Sequence, residues 1–189
     1  MEKWGNDMEN KKINPLSVQS RLWLLDALLQ LMREKPYNEI TIKELTKRAC
    51  LDRKTFYRHF KTKDDILAIP IREAFEEYAN DLKQSPTLSS HEAIQAYFDL
   101  CLKHIDFFSL LDSHGLSMII LTSLSEFLLV LNSMFSDNPI YHKKTAWALA
   151  YEAGGLWNVT VRWINNGAKE TSEEMATIIG SIMPPIFQE

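Results

Sequence analysis

Apolar residues recur along this chain at helical spacing, and nowhere do they alternate as a half-buried strand requires. Leu22, Leu25, Leu28, Leu29 and Met32 share one face of a helix expected over residues 17–35, closed by Pro36 because the residue before a proline avoids helical backbone. Thr41-Ile42-Lys43-Glu44 has the form of a capping box and predicts a short helix over 42–48. Asp52 can cap a second over 53–59, and Thr62-Lys63-Asp64-Asp65 can open a longer one to about residue 84, ahead of Ser85-Pro86. Ser89-Ser90-His91-Glu92 is another capping box, opening a helix to about residue 108. A strongly apolar helix follows Gly115. Asn138-Pro139, with proline at the first helical position, starts a long helix to about residue 165 that Gly167 stops. Thr171-Ser172-Glu173-Glu174 caps a last helix, ended by Pro184-Pro185. The expected fold class is all-α.

Two seven-residue helices joined by Ala49-Cys50-Leu51-Asp52 have the dimensions of a helix-turn-helix. Ile42, Leu45 and Ala49 form one apolar stripe, and Phe56 and Phe60 fall four apart on the second helix. The remaining positions of that helix carry Arg53, Lys54, Thr55, Tyr57, Arg58 and His59. Guanidinium and ammonium groups, hydroxyls and an amphipathic ring suit guanine edges, thymine methyls and phosphates. A helix N-terminus also presents unpaired amides and partial positive charge, which places Thr41 and Lys63 where an anion is favoured.

Charge strengthens this picture. The net charge of −4 hides +6 over residues 1–63 and −10 over residues 64–189. Between Thr41 and Lys63 alone, eight cationic side chains face two acidic ones. That is the footprint a polyanion partner needs, although a solvated basic face looks the same by charge alone.

The run TIKELTKRACLDRKTFYRHFKTKDDIL closely resembles the N-terminal helix-turn-helix of the TetR/AcrR family of transcriptional regulators. The resemblance spans about residues 17–70, and members commonly carry Gly where this chain has Cys50 and often a small residue where it has Lys54. It implies a flexible arm at 1–15, a three-helix helix-turn-helix DNA-binding domain at 16–62, and a larger helical regulatory and dimerisation domain at 63–189. It also implies double-stranded DNA with a palindromic operator as partner. Thr41, Tyr57 and Lys63 would then hold phosphate while Arg53, Lys54 and Thr55 face bases, with His59 completing the expected DNA-binding set. On this reading the protein is a repressor that acts as a homodimer in the cytoplasm and is released by a small ligand. An all-α protein-interaction module, or a TetR-like activator without a small-molecule ligand, is the alternative.

The acidic remainder says less. WNVTVRWINNGAKETSEEMA resembles the C-terminal regulatory domains of one branch of the same family. In that family the last two long helices pair with their copies, which implies a dimer face from Tyr151, Gly154, Val161, Met175, Ile178, Ile179 and Ile182. These positions suit packing within the chain equally well. Phe98, Met118, Phe127, Trp147, Tyr151 and Trp157 are candidates for a pocket holding a small apolar or amphipathic ligand, or for plain core.

Other classes fall away. With 189 residues, 46% of them apolar, and two cysteines far apart, the chain needs no disulfide staple. The N-terminus has no apolar signal region. Residues 116–135 are as long as a bilayer is thick, but Glu126 near their centre would cost about 2.5–3.5 kcal/mol there, so a buried helix and no membrane are expected. Cys101 and His104 lie one turn apart without the repeated spacing of a metal site. No nucleophile elbow, zinc-protease helix or phosphate loop is present, so neither an enzyme nor a cofactor is expected.

Overall fold

A helix leaves four amides and four carbonyls unpaired at its ends, and the shorter it is, the more its survival depends on satisfying them. The computed structural model, which describes residues 15–84, 89–134 and 145–182, shows where these groups go. Among the described residues there are nine α-helices, a 3-10 turn at Tyr37–Glu39, and no strand. The all-α expectation holds. The chain divides into two compact units, Met1–Ile69 and Pro70–Glu189. Of the other expectations, the N-terminal arm (apart from Pro15), the Asn138-Pro139 start and the Pro184-Pro185 stop lie outside the described residues.

In the N-terminal unit, α1 (Pro15–Glu34) packs against α2 (Ile42–Arg48) and α3 (Arg53–His59), and α4 (Lys63–Gln84) begins there before continuing past Ile69. The predicted caps are present. The Thr41–Glu44 box is closed on both sides, and the Asp52 carboxylate accepts the Thr55 amide at 2.6 Å. Leu24, Leu28, Leu31, Leu45, Phe56, Phe60, Ile66 and Leu67 are all buried. The buried stripe of α1 is therefore 24, 27, 28, 31 and 32, while Leu22, expected inside, is exposed. Leucines at 22, 24, 25, 28, 29 and 31 offer two overlapping stripes, and packing selects one of them.

The turn between α2 and α3 is a Schellman motif. The Leu51 amide reaches the Thr46 carbonyl at 2.9 Å and the Cys50 amide reaches that of Lys47 at 3.2 Å, which requires left-handed backbone at Cys50, φ 53°. The same pair of bonds ends α6 (Ile105–Ser113) at Gly115 and α8 (Ala146–Asn165) at Gly167. Two of the three motifs use glycine; the turn of the helix-turn-helix uses a residue with a Cβ.

In the C-terminal unit, α5 (Ser90–Lys103) opens with the predicted Ser89–Glu92 box but stops at His104, short of the expected residue 108. The His104 amide closes onto Leu100, while its carbonyl accepts the Phe107 and Phe108 amides and starts α6. Asp112 then accepts Ser117 Oγ at 2.6 Å and Asn165 Nδ2 at 3.0 Å. The start of α7 (Ser117–Met134) is thus tied beside the end of α8, and the two helices pack antiparallel. Only one face of α7 is inside, through Ile120, Leu124, Phe127 and Leu131; Met118, Glu126, Leu129 and Met134 are exposed. The expectation of a buried helix therefore holds on one side only. Its length and composition would suffice to cross a membrane, but Glu126 lies at mid-helix.

α9 (Ser172–Ile182) packs along α5, burying Met175, Ala176 and Ile179. Rings fill the core: Phe75 stacks on Phe127 at 5.0 Å and Phe98 meets Trp163 edge-on at 5.2 Å. The buried tyrosine hydroxyls are paired, Tyr97 with Thr160 at 3.1 Å and Tyr78 with the Ala93 carbonyl at 2.9 Å. Burial pushes the Cys101 thiol up to about 12, so it stays protonated and behaves as a small apolar group.

Replacing Cys50 by glycine removes the left-handed strain, and although glycine loses more freedom on folding, a net gain of about 0.5–1 kcal/mol is expected. Urea unfolding of Cys50→Gly beside the parent measures it, and an unchanged or lowered midpoint contradicts the strain argument.

Candidate nucleic-acid interface

A seven-residue helix has two faces to spend. On α3 the inner one is Phe56, fully buried, continued by Phe60 at the C-cap. Burying a phenylalanine side chain contributes about 1.5–3 kcal/mol, and this anchor holds the other face outward. Arg53, Lys54, Tyr57 and Arg58 are exposed there, Thr55 is half-buried, and the Tyr57 ring packs edge-on to Phe56 at 5.1 Å. Lys43 and Lys47 of α2 and Lys61 after α3 are exposed as well. A helix about 10–12 Å across bearing such a face fits the roughly 12 Å major groove of B-DNA.

Other cations of the unit are engaged within it. Arg48 forms a two-point pair with Glu34, at 2.8 and 2.7 Å, that joins α2 to α1. Lys35 donates to Glu44 at 2.6 Å. Lys35, then the Thr41 amide and hydroxyl, hold the Glu44 carboxyl down to about 2. The Thr41 hydroxyl donates to that carboxylate at 2.7 Å and accepts the Glu44 amide at 3.2 Å. The Thr41 amide and hydroxyl, expected to take a phosphate, are thus already engaged by the helix's own carboxylate. Lys63 Nζ donates to the Tyr37 carbonyl at 2.7 Å and the Ile40 carbonyl at 2.6 Å, with the Tyr37 ring centroid 4.2 Å away. His59 is half-buried and rests near Phe60, and its Nε2 is enclosed without a partner among the described residues. Desolvation, then Arg58 and Arg21, lower its pKa, so it is neutral at pH 7 and not a cation for phosphate.

Of the seven expected DNA-binding residues, the structure thus brings Arg53, Lys54, Thr55 and Tyr57 together on one helix face and turns Thr41, His59 and Lys63 toward the protein. Lys43, Lys47, Arg58 and Lys61 join the cationic surface. The charge run of the sequence already contained them.

Residues 24–68 match the family described as bacterial regulatory proteins, tetR family. The match lies within this N-terminal unit, which is a DNA-binding domain of the tetR type and supports a transcriptional regulator. Among solved structures the chain is similar to Lin0861 from Listeria innocua, with a TM-score of 0.76 at 16% identity over 92% of this chain and 93% of that one. It is also similar to the dihydroxyacetone kinase operon activator DhaS, with a TM-score of 0.55 at 17% identity over 91% of this chain and 99% of that one. The fatty acid degradation regulator FadR from Bacillus halodurans gives 0.53 at 16% identity over 91% and 96%. At such identities these likenesses concern the fold alone. No curated protein matches the chain in sequence.

The candidate sites of the C-terminal unit are also rearranged. Phe98, Phe127 and Trp157 are each buried in the core, whereas Met118, Trp147 (86% exposed) and Tyr151 (65% exposed) are on the surface and cannot line an interior pocket. Of the expected dimer face, Met175 and Ile179 are buried against α5 within the chain, Gly154 and Val161 are half-buried, and Tyr151, Ile178 and Ile182 are exposed. All four positions fall on one stripe about 100° wide around the helix, and α5 covers only its 175 and 179 part.

Arg53→Ala is expected to cost about 1–3 kcal/mol of operator affinity and to relax specificity at one base pair per half-site. Titrating wild-type and variant protein against the operator and its single-base variants measures this; unchanged affinity and base preference would contradict the assignment. A second expectation concerns acid. Because the Glu44 pKa is lower folded than its ordinary 4.5, its contribution is complete above pH 4.5 and is lost as pH falls toward 2. The stability difference between wild type and Glu44→Gln should shrink over that interval in unfolding curves, and a constant difference would refute it.

Proposed function

We propose that the protein is a homodimeric repressor that binds a palindromic operator in cytoplasmic DNA and is released by a small molecule. Residues 16–62 read the DNA and residues 63–189 assemble and sense. The single observation that carries the reading is the exposed row Arg53, Lys54, Tyr57 and Arg58 on a short helix anchored by Phe56. One such helix makes too few contacts for specificity, and a two-fold dimer doubles them at a spacing of about 34–36 Å or a multiple of one DNA turn.

The exposed apolar residues Trp147 and Tyr151 of α8 and Ile178 and Ile182 of α9 support a face for the second copy. Two polar atoms in the C-terminal unit support a ligand: Trp157 Nε1 and His104 Nε2 are buried without a partner among the described residues. They flank Phe108, whose ring lies 5.8 Å from that of Trp157 and 6.2 Å from that of His104. A molecule with an apolar body and one hydrogen-bonding group answers both needs.

Selection of bound sequences from random duplex DNA tests the reading directly. A palindromic consensus, steep salt dependence and repression of a reporter are expected; a protein that retains no duplex, or a reporter that is activated, overturns it. Trp147→Glu combined with Ile182→Glu should leave a folded monomer in sedimentation, since both side chains are exposed within one chain. Ile179→Glu would instead disrupt the core against α5. A parental mass in the double variant would place the dimer face elsewhere. Ligand candidates found by tryptophan fluorescence must weaken operator binding and be weakened by operator in turn.

A further inference from the structure

The N-terminus of α2 is not the free anion site that its sequence suggests, and the reason leads to Lys63. The Ile40 carbonyl, which accepts from Lys63, belongs to the residue immediately before Thr41, the N-cap of α2; Ile40 itself is buried. The Tyr37 carbonyl, the other acceptor, opens the 3-10 turn. An ammonium has three donors, and these two carbonyls take two of them while the Tyr37 ring covers the group at 4.2 Å. The Tyr37 hydroxyl in turn bonds the carboxylate of Asp64, the residue after Lys63. On the other flank, Lys35 donates to the Glu39 carbonyl at 3.3 Å and to Glu44. The turn between α1 and α2 is therefore held from both sides, and from the α4 side by the first two residues of that helix.

We propose that Lys63, with Tyr37 and Asp64, is a positioning latch for DNA recognition and not a phosphate ligand: it fixes the start of α2 to the start of α4. The inference rests on the DNA-binding function above and assigns a role within it. Three groups on two segments 23–27 residues apart converge on one short turn. Desolvation lowers the Lys63 pKa, consistent with an ammonium withdrawn from solvent. α2 supports α3 through the Schellman turn, so a shift at Ile40 is passed to the recognition face. α4 is also the helix along which the chain passes from one unit to the other at Pro70. Displacing its first turn then displaces the start of α2, whatever causes the displacement.

A phosphate ligand and a latch differ in their response to salt. Each phosphate contact contributes about 0.9 to the slope of log affinity against log salt, whereas a latch contributes none. The full-length protein is titrated with its selected operator and with scrambled DNA over a salt series, with unfolding midpoints measured in parallel. Lys63→Met is expected to weaken operator binding at least about tenfold with the slope unchanged. Tyr37→Phe, which removes no charge, should weaken binding in the same direction, and Lys63→Arg, which keeps both carbonyl bonds, should restore most of the loss. A slope reduced by about 0.9 in Lys63→Met, with Tyr37→Phe neutral, would make Lys63 a phosphate ligand and overturn the proposal. So would undiminished affinity in both variants, or a loss fully accounted for by the unfolded fraction. Failure of the wild type to bind any duplex overturns the function itself, and is seen before any substitution is made.

Discussion

A seven-residue helix has too few internal hydrogen bonds to persist alone in water, so α3 exists only while Phe56 and Phe60 stay buried beneath it. Everything at the candidate interface depends on that burial. The Asp52 cap and the Schellman turn at Cys50 satisfy the backbone on the near side, and the apolar anchor leaves Arg53, Lys54, Tyr57 and Arg58 with nowhere to go but outward. Rigidity of this kind converts a patch of charge into a reading surface, because base edges are distinguished only by donors and acceptors held in fixed positions.

Anchoring has a second consequence, which is a division of labour among cations. Arg48, Lys35 and Lys63 are directed to carboxylates and carbonyls of their own unit and hold α1, α2 and α4 together. The cations of α3 and its neighbours remain at the surface. A positive patch in sequence thus separates in space into groups that build the scaffold and groups that face a polyanion. Substitutions in the first class should act through geometry and those in the second through charge.

The C-terminal unit follows a different logic. In its interior Tyr97 pairs with Thr160 and Phe98 meets Trp163 edge-on, and its two helix pairs, α5 with α9 and α7 with α8, leave apolar side chains of α7, α8 and α9 in water. Exposed tryptophan, tyrosine and isoleucine on consecutive helices are costly for a monomer and useful for an assembly. Trp157 and His104 present the converse, buried polar atoms without a partner among the described residues in a setting of aromatic rings.

The sequence by itself determined the local grammar of this protein. Caps at Thr41, Asp52 and Ser89, the stop at Gly167, and the outward face of α3 were legible because they depend on residues within one or two turns of each other. Tertiary packing decided the rest. Which leucines of α1 turn inward, whether Ile178 or Ile179 is covered, and that Trp147 lies on the surface all depend on which neighbouring helix arrives, and an apolar stripe wider than one contact does not specify that. The same holds for Lys63. Its place at a helix N-terminus suggests an anion, but Tyr37 and Ile40, distant in sequence, come within reach only when the chain folds, and their carbonyls claim the ammonium first.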